Sequence, residues 1–280
     1  MASNLILTVF HQEESSSEQI GNRLKAKGYQ LERCCLAEGD RLPQSLDRYA
    51  GIITFGGSMS ANDDLKFIRD ELSWLPHAIE TEIPLLGICL GAQLISLALG
   101  GKVRPRDDRK TEIGYFPVYP TEAGQALLGP VEGLAKDQAE DEKEPPLFYH
   151  WNSEGFSIPE GAEALATGEL FYYQAFRYGQ STYAFQFHPE ITAEMIQRHF
   201  KTAGELLERP EAATEQKIWR DHERQAPKVA GWIDRFLEVW LREAVRPQAG
   251  PETGLETGPE TDPETGPETS AERPALNSAA

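Results

Sequence analysis

The stretch Leu85-Leu86-Gly87-Ile88-Cys89-Leu90-Gly91-Ala92-Gln93 decides how this chain is read. Its apolar first half reads as a buried strand that stops at a cysteine, and its second half as an apolar helix that starts at once behind it. A short strand, a nucleophile at the sharp turn and a helix behind it form a nucleophile elbow. Gly87 and Gly91 stand two residues either side of Cys89, where a Cβ would crowd the turn and block a substrate's approach. The helix N-terminus directs N–H groups and partial positive charge at the sulfur, which favours thiolate over thiol. Buried cysteines beside glycines are also common packing features, so the elbow alone leaves catalysis and packing both open.

A second segment separates the two. Tyr183-Ala184-Phe185-Gln186-Phe187-His188-Pro189-Glu190 reads as an apolar strand ending in His-Pro-Glu. A thiolate nucleophile needs an adjacent base or cation, and that histidine needs a third group to fix its tautomer and orientation. His188 and Glu190, at one strand end, supply both roles.

With G-x-C-x-G-x-Q at Gly87–Gln93 and F-x-x-H-P-E at Phe185–Glu190, the sequence resembles the class I (triad) glutamine amidotransferases. Most of all it resembles the stand-alone branch related to the glutaminase domain of GMP synthetase. The likeness extends to Gly56-Gly57-Ser58-Met59-Ser60, Glu112-Ile113-Gly114 and Gln174-Ala175-Phe176-Arg177-Tyr178, and spans roughly residues 4 to 205. It implies a flavodoxin-like α/β fold, a mostly parallel central sheet with helices on both faces. It also implies a catalytic triad of Cys89, His188 and Glu190, with the backbone N–H groups of Gly57 and Leu90 as oxyanion donors. Leu90 follows the nucleophile directly, so its amide is well placed on geometric grounds too. Gln93 matches the motif's substrate-binding glutamine, although bonding to neighbouring backbone would also explain it. Asn152 and Ser153, in His150-Trp151-Asn152-Ser153-Glu154-Gly155-Phe156, fall in the segment lining the family's pocket for substrate α-amino and α-carboxylate groups. The chain departs from the pattern at two places. Ser58 replaces a frequent proline without removing a donor, and the histidine and aspartate common near Asn152 and Glu154 are missing, which puts the exact substrate in doubt.

The alternation of β and α patterns agrees with this architecture. Strands are predicted at Leu5–Phe10, Tyr29–Cys35, Gly51–Phe55, Pro84–Ile88, Gly114–Tyr119, Phe148–Trp151, Leu170–Phe176 and Thr182–Phe187. Helices are predicted at Glu18–Lys27, Asp64–Glu80, Leu90–Leu99, Ala193–Leu207 and Val229–Ala244. In such sheets the site lies beyond the carboxyl ends of the strands, where Gly57, Cys89 and His188 all fall. Residues 1–246 are expected to form one domain, with residues 208–246 as a helical extension. Residues 208–227 are polar and broken by Pro210 and Pro227. Val229, Trp232, Ile233, Phe236 and Trp240 then recur at helical spacing, as in a terminal helix docking on the core. The acidic, Pro- and Gly-bounded stretch from Pro130 to Pro146 reads as a solvated loop. From Pro247 the chain becomes a Pro-Glu-Thr-Gly repeat with seven acidic residues and one basic. It holds almost nothing to bury, so a disordered tail is expected.

Composition bounds the partners. The net charge of −18 argues against nucleic acid and anionic membranes, which need clustered Lys and Arg. No apolar run approaches a membrane span. The N-terminus enters Leu5–Phe10 with no basic or signal-type stretch, and three cysteines make no disulfide framework, so a cytoplasmic location is expected. His11, His77, His199 and His222 have no partners at metal-ligand spacing and are assigned to surface or helix packing. Cys34 and Cys35 point to opposite faces of one strand, and no phosphate-binding glycine loop is present. No cofactor or metal is expected. The implied reaction is cysteine-dependent hydrolysis of the γ-amide of glutamine or a γ-glutamyl compound through a thioester. The alternatives are a glutaminase subunit feeding ammonia to a separate synthetase, and a non-catalytic regulator that keeps the fold.

Overall fold

A strand covered by helices on two faces must be apolar on both, and the central strands meet that condition. The computed structural model describes residues 3–129, 145–202 and 204–243. Strands β3 (Gly51–Thr54), β4 (Leu85–Ile88) and β12 (Thr182–Phe185) are buried at every position, as is β1 (Leu5–Phe10) beyond its first residue. With β2 (Gln30–Cys35), β11 (Tyr173–Tyr178), β10 (Ala162–Thr167) and β7 (Tyr119–Pro120) they form an eight-stranded sheet of order β2-β1-β3-β4-β12-β11-β10-β7. Pairing is parallel from β2 through β12 and antiparallel from β12 through β7.

The two faces bury different sets of side chains, as the strand period of two requires. Ile6, Ile53, Leu86 and Phe185 pack against Ile20 and Leu24 of α1 (Glu18–Ala26) and against Trp232, Phe236 and Trp240 of α7 (Glu215–Glu243). Leu7, Ile52, Leu85 and Ala184 pack against Ile68 and Leu75 of α2 (Lys66–Glu80) and Leu94 and Ile95 of α3 (Leu90–Ala98). Two ribbons leave the sheet edge. One pairs β5 (Val103–Pro105) with β9 (Glu154–Phe156), the other β6 (Glu112–Pro117) with β8 (Leu147–Asn152). A third apolar cluster gathers Ile113, Tyr115 and Tyr149 with Ile196 of α5 (Ala193–Thr202) and Ile218 of α7.

Several expectations need correction. The terminal helix starts at Glu215 rather than Val229 and runs straight through Pro227. Proline inside a helix costs about 3 kcal/mol. Burial of Ile218 before it and of Val229, Trp232 and Ile233 after it offsets that cost, at about 1.5–3 kcal/mol per large side chain. The single strand predicted at Gly114–Tyr119 is two strands in different sheets; the Val118 N–H still donates to the Pro146 carbonyl (2.9 Å), but Pro146 has no N–H to return the bond, and the β6–β8 ladder ends there. The strand predicted at Leu170–Phe176 begins at Tyr173 and extends to Tyr178, after a bend at residues 169–172. The helix predicted at Ala193–Leu207 is α5 followed by the short α6 (Gly204–Leu207). Strands β5, β9 and β10 were not predicted; they are short or carry Glu, Gly and Ala rather than a β-branched pattern. The acidic insertion at residues 130–144 and the repeat tail lie outside the described residues. Among the described residues, no helix is long and apolar enough to cross a membrane.

Candidate active site

Register brings the motifs together. Thr54 of β3 pairs with Gly87 of β4, and Ile88 pairs with Phe185 of β12, so the three strands end level. The residues that follow them, Gly56-Gly57, Cys89 and Gln186–His188, therefore meet at one edge of the sheet. There Gly56, Gly57, Cys89 and His188 border a cavity of about 840 Å³ that Gln93, Trp151, Asn152, Ser153, Glu154 and His199 also line.

Cys89 sits at the tip of the elbow with φ 51° and ψ −107°. A non-glycine residue in that region is strained and persists only where its surroundings over-determine it. Here the Cys89 N–H donates to the Phe185 carbonyl (2.8 Å), and its own carbonyl accepts from the Gln93 N–H (3.0 Å). The glycine requirement read from the motif is steric. A Cβ on Gly91 would stand 2.2 Å from the Thr54 carbonyl oxygen, and one on Gly87 2.8 Å from the Ala92 nitrogen. The strand-to-helix reversal closes only with hydrogen at both positions.

His188 is held from three directions. Its N–H donates to the Tyr149 carbonyl (2.7 Å), its Nδ1 lies 2.8 Å from Glu190 Oε1, and its ring is hydrogen-bonded to the Cys89 thiol group. Burial works against a charged imidazolium. The charges of Glu190 and Cys89 and the hydrogen bonds to both outweigh it, and the His188 pKa is held up at about 10. Cysteine, histidine and glutamate thus form one connected chain facing the cavity, the arrangement an activated nucleophile requires.

Leu90 is the first residue of α3, so its N–H is one of the groups at a helix start that have no carbonyl a turn behind them. Gly57 packs against it; a Cβ there would come 2.8 Å from Leu90 Cδ2. Both border the cavity beside Cys89. Gln93 Nε2 donates to the Glu154 carbonyl (3.0 Å) and to Gln186 Oε1 (3.3 Å), tying the nucleophile helix to the cavity's far wall. Asn152 Nδ2 donates to the same Glu154 carbonyl (3.3 Å), while its Oδ1 is buried without a hydrogen-bond partner. Ser153 lies next to it on the cavity wall.

The contacts of three residues in and around the site escaped the sequence. Gln186 Nε2 lies 3.8 Å from Cys89 Sγ, although a glutamine inside an apolar strand gives no signal of that role. His199 does not serve only as helix packing, as expected, but lines the cavity with its ring 6.3 Å from that of His188. Burial and the charges of His188 and Arg198 push its pKa down to about 3, so it stays neutral. His11 meets the helix-packing alternative rather than the surface one, fully buried against Glu71 of α2 (Nε2 to Oε2, 2.6 Å). Among the described residues, no group of three or more His, Cys, Asp or Glu could hold a metal ion.

The comparisons with known proteins agree with this fold. The model of the class-I glutamine amidotransferase family matches residues 9–202, and the chain belongs to that family. It is 30% identical over 190 residues to the glutamine amidotransferase-like protein YfeJ of Salmonella typhimurium, covering 65% of this chain and 75% of that one. It is 38% identical over 156 residues to the glutamine-hydrolysing GMP synthase of Porphyromonas gingivalis; that match covers 54% of this chain but only 27% of the synthase. Among solved structures, a glutamine amidotransferase from Methylobacillus flagellatus superposes with a TM-score of 0.76 at 24% identity, covering 86% of this chain and 96% of that one. Another from Thermotoga maritima gives 0.73 at 22% identity, with 88% and 100% covered. At those identities the structural likeness speaks for the fold.

Proposed function

We propose that the chain hydrolyses the γ-amide of glutamine or of a γ-glutamyl compound through a thioester on Cys89. The observation that carries this reading is the connected Cys89–His188–Glu190 chain at a strained elbow opening into the cavity. The Cys89 thiolate attacks the side-chain carbonyl carbon, and the Gly57 and Leu90 N–H groups receive the oxyanion. His188, as imidazolium, gives its proton to the departing nitrogen, which leaves as ammonia or an amine. The neutral imidazole then takes a proton from water as that water attacks the thioester. A second oxyanion collapses, glutamate departs, and the thiolate–imidazolium pair is restored. Glu190 orients His188 and stabilises its charged form throughout. Gln93, Asn152 and Ser153 bind the amino-acid end of the substrate.

The size of the cavity favours the stand-alone reading. A volume of about 840 Å³ lies in the upper part of the range of about 300–1,000 Å³ typical of pockets for ligands larger than one amino acid. Arg198, His199 and Lys201 are among the residues that border it. The second reading, ammonia delivery to a separate synthetase, is favoured by the likeness to GMP synthases, of which the chain spans about a quarter. We place the protein in the cytoplasm with a small-molecule substrate. Neither a cofactor nor a metal enters these steps.

The test is glutamate release from glutamine and a panel of γ-glutamyl peptides by the purified chain, with Cys89→Ala as control. Turnover of a γ-glutamyl peptide identifies a self-contained hydrolase. Silence on the panel, with Cys89 still labelled by a glutamine-mimicking electrophile, identifies an amidotransferase that works with a partner. Silence with no labelling leaves the regulator.

A further inference from the structure

The His11–Glu71 pair lies outside the reaction just described, yet it is built at some cost. Both side chains are fully buried, and a buried ion pair rarely gives more stability than apolar residues of the same volume. Its position is specific. His11 follows β1, Glu71 projects from α2, and Glu71 Oε1 also accepts from Thr54 Oγ1 (2.7 Å) at the end of β3. The other edge of the imidazole reaches the loop between β3 and α2. His11 Nδ1 lies 3.4 Å from the Gly56 carbonyl oxygen, with the Phe55 carbonyl also within hydrogen-bonding reach.

That carbonyl belongs to the peptide unit whose nitrogen is Gly57. The chain has no cis peptide among its described residues, and in a trans peptide the C=O and the N–H point in opposite directions. A Gly56 carbonyl turned inward onto His11 therefore turns the Gly57 N–H outward. Outward is the cavity. Gly56 and Gly57 line it whereas His11 does not, and a Cβ on Gly56 would stand 3.5 Å from Cys89 Cβ and 3.0 Å from His188 Cε1. Glycine at residues 56 and 57 leaves this peptide free to rotate unless something holds it.

We propose that His11, braced by Glu71 and Thr54, is a positioning residue that locks the Gly56–Gly57 peptide with its N–H facing Cys89. The inference rests on Gly57 being an oxyanion donor in the proposed reaction. Holding both partners requires both ring nitrogens to donate, Nε2–H to Glu71 and Nδ1–H to Gly56, and so an imidazolium. Burial opposes that charge, but the charge and hydrogen bond of Glu71, with the two carbonyls, outweigh it and raise the His11 pKa above the ordinary histidine value. Glu71 thereby keeps the second donor in place.

The experiment compares wild type, Glu71→Gln and the double variant His11→Phe/Glu71→Met. The double variant replaces both partners with apolar groups, so it leaves no buried charge unpaired and retains the fold where the single change at His11 could lose it. Removing an oxyanion donor costs about 100- to 1,000-fold in kcat. An unlocked peptide still samples the productive orientation, so a loss on the order of 10- to 100-fold in kcat is expected, with KM within about threefold. Alkylation of Cys89 by iodoacetamide, which passes through no oxyanion, should stay within about twofold of wild type. Glu71→Gln should retain kcat within about fivefold, because a glutamine amide can donate to Nε2 of a neutral histidine whose Nδ1–H still reaches Gly56. The crystal structure of the double variant should show the Gly56–Gly57 peptide rotated or in two orientations. Unchanged kcat, a parallel loss of kcat and alkylation rate, or an unmoved peptide in the variant would each overturn the proposal. A wild type without turnover would instead refute the proposed reaction, and the peptide's orientation in the variant would still decide this one.

Discussion

Two buried histidine–carboxylate pairs in this protein have nearly the same geometry and different surroundings. His188 Nδ1 lies 2.8 Å from Glu190, and His150 Nδ1 lies 3.0 Å from Glu112; the side chains of both pairs are at most 5% exposed. The first pair borders the cavity and touches a thiol. The second is closed inside the β6–β8 ribbon, where Gln174 Nε2 donates to Glu112 (3.0 Å) and the Phe171 N–H adds a further bond (3.3 Å). Burial raises the Glu112 pKa, but the charge and hydrogen bond of His150 with the other donors outweigh it and the net shift is downward. The pair by itself is therefore a structural unit. It becomes chemical machinery only where the imidazole's remaining edge meets a nucleophile and a substrate.

The comparison breaks most visibly at the nucleophile. Cys89→Ala is expected to abolish glutamate release with the melting temperature within a few degrees of wild type, by calorimetry. Persistent turnover would remove the thiol from the chemistry. Next in size, Glu190→Gln should lower kcat on the order of 1,000-fold or more, by analogy with loss of the orienting carboxylate in a serine triad, and leave KM nearly unchanged. Glu112→Gln should do the reverse. Its kcat should stay within about threefold while stability falls by about 1–3 kcal/mol, read from denaturant unfolding, as expected when a buried hydrogen-bonded pair is weakened. Equal rate losses in the two variants would mean that the surroundings do not separate the pairs.

The His188 pair also carries a pH signature. Its folded pKa of about 10 lies above the unfolded value near 6.5, so the stability it contributes is fully present below about pH 6.5. That contribution is lost as pH rises through the window to about 10. Unfolding free energies of wild type and His188→Gln should therefore converge from pH 6.5 to 10. In Cys89→Ala the thiol's share of the upward shift is gone, and an imidazole titration by NMR should find the His188 pKa lower. An unchanged value would mean that Glu190 alone sustains the charge.

These pairs also show what a sequence can reveal. His188 and Glu190 are two residues apart in a strand-end motif, and Cys89 sits in a glycine-bounded turn, so local patterning suffices to find them and the parallel strands that bring them level. His150–Glu112 and His11–Glu71 are 38 and 60 residues apart, and nothing local marks one member as the other's partner. Glu112 stands out in the sequence only as part of Glu112-Ile113-Gly114, which says nothing of its contact with His150. The same holds for fold elements whose existence depends on tertiary contact. Helix α7 continues through Pro227 because Ile218 and Trp232 both find apolar partners, and β10 forms from Ala-rich sequence because β11 supplies a ladder. Local propensity is a weak guide where packing on a distant segment settles the outcome.

The smallest expected effect falls on His199, whose ring lies as near to His188 as a contact partner would but whose pKa is pushed the opposite way. A neutral imidazole cannot repel the His188 imidazolium, and its Nδ1 is 3.3 Å from the hydroxyl of Tyr149, whose carbonyl holds the His188 N–H. The ring also packs against Trp151, tilted by 45° at 4.8 Å between centroids. His199→Phe retains that ring contact and removes only the hydrogen bond, so kcat on glutamine should stay within about twofold. His199→Arg places a permanent charge at the same wall, and by like-charge repulsion it should lower the His188 pKa and slow turnover several-fold. A larger loss in the phenylalanine variant than in the arginine variant would mean that His199 acts through its hydrogen bond, joining the reacting group rather than standing beside it.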